Sequence, residues 1–457
     1  MTRTRPSICV IGGGFTGAAA AVACLKRIAH PFDLAIVETA ALGRGAAYGG
    51  HHPLHLLNVR TRDLSILPDR PRDFLNWAFA QIDQGENDPG LHEGLAHSFL
   101  PRELFGSYAR QRLFEAIEAR NDVDTRIVND VAVSCTGRAG QFVIRTESAA
   151  TLCADIVMLA TAYGVQSPSA EGALAPYEAI APERLRAAKS VALIGSGLTM
   201  VDALIGARRD GFGGIATIIS RRGQLPRRHA AKGVVPLEVA VPQSKSVARL
   251  TAAIRIACEM AEAHGTPWQA VINGLRPFLQ KRWLDLSAQE QRRFLRHVRP
   301  FWDAHRHRLP SEMHDRVLSE FESGRAILLR GTVTGVIREQ DRFTLRVRRR
   351  GSGVLETLEA DLAINCSRYK PDLDQPLIQS LLLQGLARPD DHRLGLLVRP
   401  DGHVVGKDSA ATRGLFALGP LCQGTLWEIT AVPEIVRQAD AAALAAAFET
   451  GERAVAV

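Results

Sequence analysis

The sequence lacks the cysteine patterns that define a disulfide-rich protein, a zinc ribbon or a dithiol redox enzyme. Its seven cysteines are scattered over 457 residues, and no two of them form a C-x-x-C pair. No apolar run is long enough to cross a bilayer, and no motif for reading DNA or RNA is present. His305 and His307 have no cysteine or carboxylate partner at a recognised spacing, so we predict no metal site.

Composition is typical of a globular protein with a basic surface. Hydrophobic residues make up 46% of the chain and charged residues 23%. The formal net charge of +8 could indicate a polyanionic partner, but we favour arginines that bind anionic cofactors or face solvent. We expect neither nucleic acid nor a membrane as a partner. Arg3 and Arg5 precede an apolar run as in a signal peptide, but the glycines in that run fit a nucleotide fold better, which predicts a cytoplasmic protein.

The first glycine motif lies between a predicted strand and a predicted helix. The apolar run Ile8–Ile11 leads into Gly12, Gly14 and Gly17, and an alanine-rich segment follows. In this G-x-G-x-x-G pattern the first glycine permits a tight turn, the second admits a pyrophosphate, and the third brings helix and strand close. The next apolar strand ends at Glu38, where a ribose hydroxyl is expected. The segment therefore predicts a dinucleotide site edged by an acid.

A second glycine motif follows another apolar strand near residue 190. Gly195 and Gly197 are present, but Met200 stands at the third glycine position, so we expect looser packing of helix and strand or a different crossing angle. The next strand ends at Arg221 and Arg222 instead of an acid. Guanidinium groups suit a phosphate dianion, which favours a 2′-phosphate and therefore NADP over solvated arginines.

Two dinucleotide folds in one chain imply two dinucleotides. The acid-edged site is expected to hold FAD and the arginine-edged site NADPH, which predicts passage of hydride from nicotinamide to flavin. An acid, an apolar strand and small polar residues occur at 155–161 and again at 361–367, as expected if the two folds repeat one pattern. Ala160 and Thr161, at the end of the first of these strands, leave room for a cofactor.

Three further segments are predicted from local patterns. The glycine-rich loop 42–59 could fold back along the cofactor, and within it Asn58 is either a flavin contact or a structural turn residue. Short strands from residue 125 to 145 predict a small antiparallel insert. Residues 240–325 predict a helical insert, packed by its tryptophans, whose arginines meet phosphate or an anionic substrate.

With these motifs placed, the chain resembles the flavoproteins that bind two dinucleotides, nearest to the bacterial FAD–NAD(P)-binding proteins of the YdhS-like type. It is distantly similar to flavin-containing monooxygenases and amino-acid N-hydroxylases. The resemblance covers nearly the whole chain, and its most specific parts are residues 12–17, 47–49 with 55–59, 195–202, and 418–420 with 425–428. In such flavoproteins the last strand usually ends in Gly-Asp. Here Pro420 follows Gly419, so the ribityl contact must come from backbone or another side chain.

The resemblance implies an α/β fold with two Rossmann-like dinucleotide-binding domains of three layers and a helical insert. Residues 1–180 and 326–457 would form a discontinuous FAD domain, and 185–325 the NADP domain with the insert at 240–325. The C-terminal helix is expected to begin near Thr425 and to direct its N-terminus at the flavin. Glu428 then either lines the pocket or is an ordinary first-turn residue.

The function predicted is that of an FAD-dependent, NADPH-using monooxygenase, which hydroxylates nitrogen or sulfur of a small molecule through a flavin hydroperoxide formed with O₂. The predicted FAD contacts are Gly12, Gly14, Phe15, Thr16, Gly17, Glu38, Arg44, Tyr48, Leu57, Asn58, Val131, Ala160, Thr161, Gly419, Thr425 and Trp427. The predicted NADPH contacts are Gly195, Gly197, Leu198, Thr199, Ser220, Arg221 and Arg222. The residues expected nearest the chemistry are Asn58, Trp427 and Glu428.

Three alternatives remain open from the sequence. A plain NADPH:acceptor reductase would share every motif, a slow flavin-bound redox sensor would keep the folds, and an RNA-associated flavoprotein would use the basic helical insert. Cys366 and Cys422 could approach the flavin, although isolated buried cysteines are usually inert. Substrate identity and the acid or base are not readable from the chain, and homo-oligomer formation is left open.

Overall fold

A computed structural model of the chain describes residues 5–49, 52–82, 89–138, 141–162, 170–230, 234–239 and 242–455. The chain divides into two units, Met1–Val165 with Lys370–Val457 (unit 1) and Gln166–Tyr369 (unit 2). The strands are β1 (Ser7–Ile11), β2 (Asp33–Val37), β3 (Asp124–Val128), β4 (Ala132–Arg138), β5 (Gln141–Thr146), β6 (Thr151–Ala154), β7 (Ile156–Leu159), β8 (Ser190–Ile194), β9 (Ile215–Ser220), β10 (Ala326–Glu339), β11 (Arg342–Arg349), β12 (Leu355–Ala360), β13 (Leu362–Asn365), β14 (His403–Val405) and β15 (Ala411–Ala417).

The α-helices are α1 (Phe15–Arg27), α2 (Gly45–Tyr48), α3 (Asp73–Ile82), α4 (Pro89–His97), α5 (Arg102–Glu118), α6 (Pro182–Ala187), α7 (Leu198–Arg209), α8 (Val247–Ala263), α9 (Trp268–Gly274), α10 (Arg276–Asp285), α11 (Ala288–Arg293), α12 (Arg299–Arg306), α13 (Ser311–Glu322), α14 (Pro376–Leu383) and α15 (Val432–Val455). Short 3-10 turns span Thr61–Asp63 and Gly419–Cys422, and a π-helical turn spans Phe294–Val298. No helix in the described ranges has both the length and the apolar character of a membrane span.

Unit 1 is built on a six-stranded sheet in the order β14-β15-β7-β1-β2-β3. All its pairings are parallel except that of β14 with β15. Both faces of β1 are buried, since Ile8 and Val10 pack with α1, α5 and α15, whereas Cys9 and Ile11 pack with β4–β6 and α14. A near-continuous apolar strand is what burial on both faces requires. Unit 1 therefore has three layers: helices, parallel sheet and a small antiparallel sheet.

Alanines allow α1 and α15 to pack closely over this sheet. Ala18–Ala21 of α1 are buried, and so are Ala439, Ala442, Ala443 and Ala446 of α15, all in one apolar cluster. Small side chains bring two helix backbones close together, because interaxial distance depends on the residues at the contact. The alanine-rich end of the sequence is thus a packing surface for the first helix.

Unit 2 repeats the central part of this plan in the order β12-β11-β10-β9-β8-β13. Strands β13, β8, β9 and the start of β10 are parallel, and the rest of β10 continues into an antiparallel ribbon with β11 and β12. Helices α8–α12 form the helical segment, in which Trp302 is buried with Ile272 and Leu275. Trp283 is also buried and meets Phe294 edge-on, so the tryptophans pack this segment as expected.

The two sheets begin with the same polar contact. In unit 1 the Ser7 N–H donates to Asp155 Oδ2 at 2.9 Å, and in unit 2 the Ser190 N–H donates to Asp361 Oδ2 at 3.0 Å. Each aspartate fixes the start of the central strand against the strand that pairs beside it. The repeat seen at 155–161 and 361–367 is therefore a repeat of structure.

The predicted fold class is confirmed, but three local predictions differ from the structure. Residues 125–128 lie in β3, which pairs with β2 in the main sheet, so placing them in the antiparallel insert was wrong. The second boundary lies at 369/370 instead of 325/326, because β10 pairs with β9 and β13 pairs with β8. Helix α13 packs on α7 and β10, and Arg208 Nε of α7 donates to Glu320 Oε2 of α13 at 2.7 Å, so α13 belongs with the sheet of unit 2.

Candidate dinucleotide-binding sites

The first glycine turn of unit 1 needs glycine at two of its positions for steric reasons. Gly12 has φ of +97°, and a Cβ there would lie 2.5 Å from the carbonyl oxygen of Ala160. A Cβ on Gly17 would overlap the carbonyl oxygen of Gly12. Gly14 is the N-cap of α1 and has no side-chain cap. The N-terminal N–H groups of α1 thus lie at the turn, where an anion is favoured.

Glu38 is fixed by backbone donors at the end of β2. Its Oε2 accepts the Gly13 N–H at 2.8 Å, and its Oε1 accepts the N–H groups of Thr39 and Ala40 at 2.9 and 3.0 Å. A carboxylate has roughly four acceptor positions, so about one remains for a ribose hydroxyl. The acid predicted from spacing alone is therefore oriented before any ligand binds.

The end of β7 supplies a polar atom that suits a ligand. The Thr161 backbone nitrogen lies 3.3 Å from the Cβ position of Gly12, so this residue borders the glycine turn. Its buried Oγ1 has no hydrogen-bond partner among the described residues, and such a group costs free energy unless a ligand satisfies it. Ala162 next to it has φ of +56°, a strained conformation that clusters at functional sites. Both observations fit a dinucleotide at this turn.

The glycine-rich loop contacts the glycine turn, and its course along a cofactor stays a prediction. The Gly43 N–H donates to the Gly13 carbonyl at 2.8 Å, and a Cβ on Gly14 would lie 3.3 Å from Gly45 Cα. The absence of a side chain at Gly14 therefore allows the backbone of this loop to approach the turn closely. Tyr48 of α2 packs edge-on against Phe15 at 5.6 Å, and burial raises the pKa of its hydroxyl to about 12.

Other predicted contacts lie in or beside this loop. Arg44 Nη2 donates to Ser107 Oγ at 3.0 Å, which anchors the loop to α5. Leu57 is buried, whereas Asn58 lies in a half-buried bend. The N–H and carbonyl of Val131 bond to Asp130 and Glu147, and its side chain is exposed. Its place as a cofactor contact stays a prediction.

The segment after β15 is a buried turn and not the start of a helix. Helix α15 begins at Val432, so the expected start near Thr425 was wrong. Pro433 explains the later start, since proline lacks an N–H and is favoured in the first helical turn. Glu428 has φ of +68°, which excludes the first-turn interpretation. Trp427 and Glu428 are both buried in this turn.

Gly419 brings the turn after β15 against α1. It has φ of +63°, and a Cβ would lie 2.8 Å from Thr16 Oγ1. Its N–H donates to Gln438 Oε1 at 2.8 Å, and Gln438 Nε2 donates to the Ala417 carbonyl at 3.2 Å. Gln438, which the sequence did not single out, thus ties the end of β15 to α15. Thr425 Oγ1 accepts the Val398 N–H at 3.4 Å.

The glycine turn of unit 2 has the same geometry with one difference. Gly195 has φ of +114°, and a Cβ would lie 2.5 Å from the Cys366 carbonyl oxygen, as at Gly12. The third position accommodates the fully buried side chain of Met200. Gly197 is the N-cap of α7, and a Cβ on it would meet no atom within 4 Å in the described part of the chain. Leu198 and Thr199 open that helix.

Arginines surround the end of β9. Ser220 ends the strand and accepts a hydrogen bond from Ser196 of the glycine turn at 2.8 Å. Arg221 and Arg222 follow. Arg330 stands opposite Ser220 in β10, and its side chain crosses Gly223, where a Cβ would lie 2.9 Å from Arg330 Cγ.

A fourth arginine reaches the same place from the β11–β12 turn. Arg350 donates from its backbone to the Arg330 carbonyl at 3.0 Å and from Nη1 to the Arg221 carbonyl at 3.2 Å. Arg221, Arg222, Arg330 and Arg350 form no ion pair with a carboxylate among the described residues. Four uncompensated cations favour an anion of high charge at this edge. Arg330 and Arg350 were missed because nothing in the sequence indicated that β10 pairs with β9.

The buried cysteines have little nucleophilic character. Burial raises the pKa of Cys422 to about 12, and its Sγ donates to the Ala417 carbonyl at 2.9 Å. Burial likewise raises the pKa of the Cys366 thiol. In the ranges that the structure describes, no group of three or more His, Cys, Asp or Glu side chains could hold a metal ion.

Comparison with known proteins gives an independent assignment of the first glycine turn. Residues 9–164 match the family model of FAD-NAD(P)-binding proteins. The matched segment contains the first glycine turn and Glu38, and it forms the first part of unit 1. The predicted resemblance to proteins that bind FAD and NAD(P) is thereby confirmed, while the YdhS-like type stays a prediction. No curated protein matches the chain.

Solved structures share the fold over almost the whole chain. The ornithine hydroxylase of Pseudomonas aeruginosa in its reduced form superposes with a TM-score of 0.66 at 15% identity, covering 97% of this chain and 100% of that one. The L-lysine 6-monooxygenase of Pseudomonas syringae gives 0.63 at 17% identity, covering 99% and 100%. The FAD-bound cadaverine monooxygenase of Erwinia amylovora gives 0.65 at 12% identity, covering 96% and 94%. At these identities the similarity establishes a shared fold.

Proposed function

We propose that this chain is an FAD-dependent, NADPH-using monooxygenase that hydroxylates a nitrogen or sulfur atom of a small molecule. The observation that carries the proposal is the contrast between its two glycine turns. One turn is edged by Glu38, which three backbone N–H groups hold. The other is edged by four arginines that form no ion pair with any carboxylate in the described ranges. A carboxylate suits the ribose of an unphosphorylated adenosine, and guanidinium groups suit a 2′-phosphate.

In unit 1 the residues at the turn would hold FAD. The N-terminus of α1 faces the pyrophosphate, Glu38 accepts a ribose hydroxyl, and Thr161 Oγ1 gains the partner that it lacks. When bound, FAD supplies two-electron transfer and reaction with O₂. The buried turn containing Trp427 and Glu428 excludes water from the region that the sequence assigned to the chemistry. These contacts and the roles of Asn58, Trp427 and Glu428 remain proposals.

In unit 2 the residues at the turn would hold NADPH. The N-terminus of α7 accepts the pyrophosphate beside Gly197, whose open Cβ position leaves space for it. Arg221, Arg222 and Arg330 bind the 2′-phosphate. Their fixed charge lowers affinity for NADH, because the unphosphorylated ribose leaves the guanidinium groups without a partner.

The choice of reaction class draws on the activities of proteins that share this fold. Three of them are an ornithine hydroxylase, an L-lysine 6-monooxygenase and a cadaverine monooxygenase. An alkyl primary amine is therefore the substrate class to test first, with O₂ as the second substrate. A cytoplasmic location also stays a prediction.

Absorbance and turnover measured together test the proposal. The purified protein should carry a flavin spectrum or acquire one with added FAD. It should also oxidise NADPH faster than NADH. Ornithine, lysine and cadaverine are then added in turn while O₂ uptake and H₂O₂ release are recorded. NADPH oxidation that an amine accelerates with little release of H₂O₂ supports hydroxylation. A colourless protein that does not bind added FAD contradicts the assignment as a flavoprotein.

An NADPH:acceptor reductase is the second candidate. The thioredoxin reductase of Lactococcus lactis and the bacillithiol disulfide reductase of Bacillus cereus superpose with TM-scores of 0.50 and 0.51. A dithiol mechanism is disfavoured because the chain has no C-x-x-C pair. Fast NADPH oxidation with a dye acceptor, and no amine that suppresses peroxide release, would support a reductase without oxygenation.

A further inference from the structure

Arg222 of the proposed NADPH site is held by the helical segment of unit 2. Its Nη2 donates to the Arg296 carbonyl at 3.1 Å, and its guanidinium carbon lies 5.7 Å from the centroid of the Phe301 ring. Arg296 lies in the π-helical turn between α11 and α12, and Phe301 lies in the first turn of α12. A contact across 74 residues thus fixes one arginine of the coenzyme site.

Pro300 explains why the Arg296 carbonyl is available. In a regular α-helix that carbonyl would accept the N–H of residue 300, but proline has none. The chain forms a π-helical turn instead, in which the Arg299 N–H donates to the Phe294 carbonyl. Such turns are rare and occur frequently at functional sites. The proline therefore leaves an acceptor for Arg222.

The Phe301 side chain does not pack in the core of the helical segment. It leaves 42% of its surface exposed, whereas Trp302 beside it is buried with Ile272 and Leu275. Among the described residues, Arg222 is the cation that lies over its ring. Cation–π attraction and the single carbonyl contact fix the plane of the guanidinium group while leaving most of its five N–H donors for a ligand.

We propose that Phe301 and Pro300 are positioning residues for Arg222 and set the preference for a 2′-phosphorylated nicotinamide coenzyme. This inference rests on the proposed NADPH site. A long arginine side chain has to lose rotamer freedom before it can bind a phosphate. An arginine already held in place loses less, so the helical segment raises affinity for NADPH and leaves affinity for NADH unchanged.

Phe301→Leu tests the ring, with Phe301→Tyr as the matched control that keeps it. Fluorescence titration gives the Kd of NADPH and of NADH for each variant, and the flavin-to-protein absorbance ratio reports on unit 1. We expect Phe301→Leu to weaken NADPH binding by about two- to fivefold, the range of an exposed cation–π contact, without changing the affinity for NADH. Phe301→Tyr should retain the wild-type ratio of the two constants.

A double-mutant cycle shows whether the effect passes through Arg222. In an Arg222→Ala background, Phe301→Leu should cause no further loss of NADPH affinity. Equal weakening of NADPH and NADH by Phe301→Leu, or the same loss with and without Arg222, would overturn the inference. If the single variants Arg221→Ala and Arg222→Ala leave the preference for NADPH intact, the proposed coenzyme itself is wrong, which is a different failure.

Pro300→Ala tests the carbonyl independently of the ring. It returns an N–H that competes with Arg222 for the Arg296 carbonyl, and it places a better helix former in α12, so the fold should be kept. We expect a lower ratio of NADPH to NADH affinity and unchanged flavin content. Full retention of the NADPH preference would show that the carbonyl contact has no positioning role and would overturn that half of the proposal.

Discussion

Gly197 offers a substitution that should weaken ligand binding and leave the stability of the fold nearly unchanged. Its φ and ψ are −87° and −167°, an extended conformation that alanine adopts readily. A methyl group there meets no atom of the described chain within 4 Å. Gly197→Ala also restricts the unfolded chain, which stabilises a protein by about 0.4–1 kcal/mol at compatible sites. Gly197 is also the N-cap of α7, where alanine is poorer than glycine by about 0.5 kcal/mol, so the two effects offset and the ligand-free protein should be about as stable as wild type.

Coenzyme binding, in contrast, should become weaker. Gly197 lies at the N-terminus of α7, so the added methyl would occupy space that the proposed pyrophosphate needs. Overfilling a packed contact costs about 1–3 kcal/mol, which corresponds to about 5- to 150-fold in Kd. The affinities for NADPH and NADH should fall by the same factor, because both coenzymes carry the pyrophosphate.

Thermal unfolding without ligand, together with fluorescence titration of NADPH, measures both effects. Gly213→Ala is the matched control, since it also lies in unit 2, is exposed and has no atom near its Cβ position, but it follows α7 instead of preceding it. An unchanged Kd for Gly197→Ala would refute the placement of the pyrophosphate. A Tm several degrees below wild type in the ligand-free protein would refute the claim that the space is open.

The remaining predictions concern unit 1. Gly17→Ala should prevent FAD binding and lower Tm, because its methyl overlaps the Gly12 carbonyl. The control Gly94→Ala, at an exposed position of α4, should raise Tm through a gain in helix propensity of about 1 kcal/mol. Equal effects of the two substitutions would contradict the turn geometry. Glu38→Gln should lose flavin on gel filtration, because an amide cannot accept all three N–H groups; full flavin retention would exclude the role assigned to the acid. Burial lowers the pKa of His403, but the carboxylates of Glu449 and Asp401 raise it by more, so the net shift is upward. The contribution of His403 to the stability of the fold is therefore complete below about pH 6.5 and is lost as pH rises through the raised pKa. The difference in Tm between wild type and His403→Gln should accordingly shrink between pH 6 and 9, and a constant difference would show that the ion pairs contribute nothing.

The sequence predicted the parts of the fold that depend on local geometry. Gly12, Gly195 and the strands before them were identifiable because a positive φ and a close backbone approach leave no choice of residue. The repeat of Asp155 and Asp361 was visible because each aspartate binds the start of the neighbouring strand through the same atoms. Such features need only a few consecutive residues.

Features that depend on pairing between distant segments were not predictable in this way. Residues 326–330 and 342–349 resemble a simple hairpin, and only the parallel pairing of β10 with β9 places Arg330 beside Ser220. The start of α15 was misplaced because the segment 425–431 has no strong helix breaker, and its positive φ at Glu428 is a property of the packed turn. The contact of Arg222 with α12 likewise has no signature in spacing.

The position of β15 and α15 at the far end of the sequence has a consequence for synthesis of the protein. β15 pairs with β7, and the alanine face of α15 covers α1, so the nascent unit 1 has an open sheet edge and an uncovered apolar helix until residues 411–455 emerge. Unit 2 is made entirely within that interval. A ribosome that stops after residue 369 would therefore release a chain whose first unit is aggregation-prone.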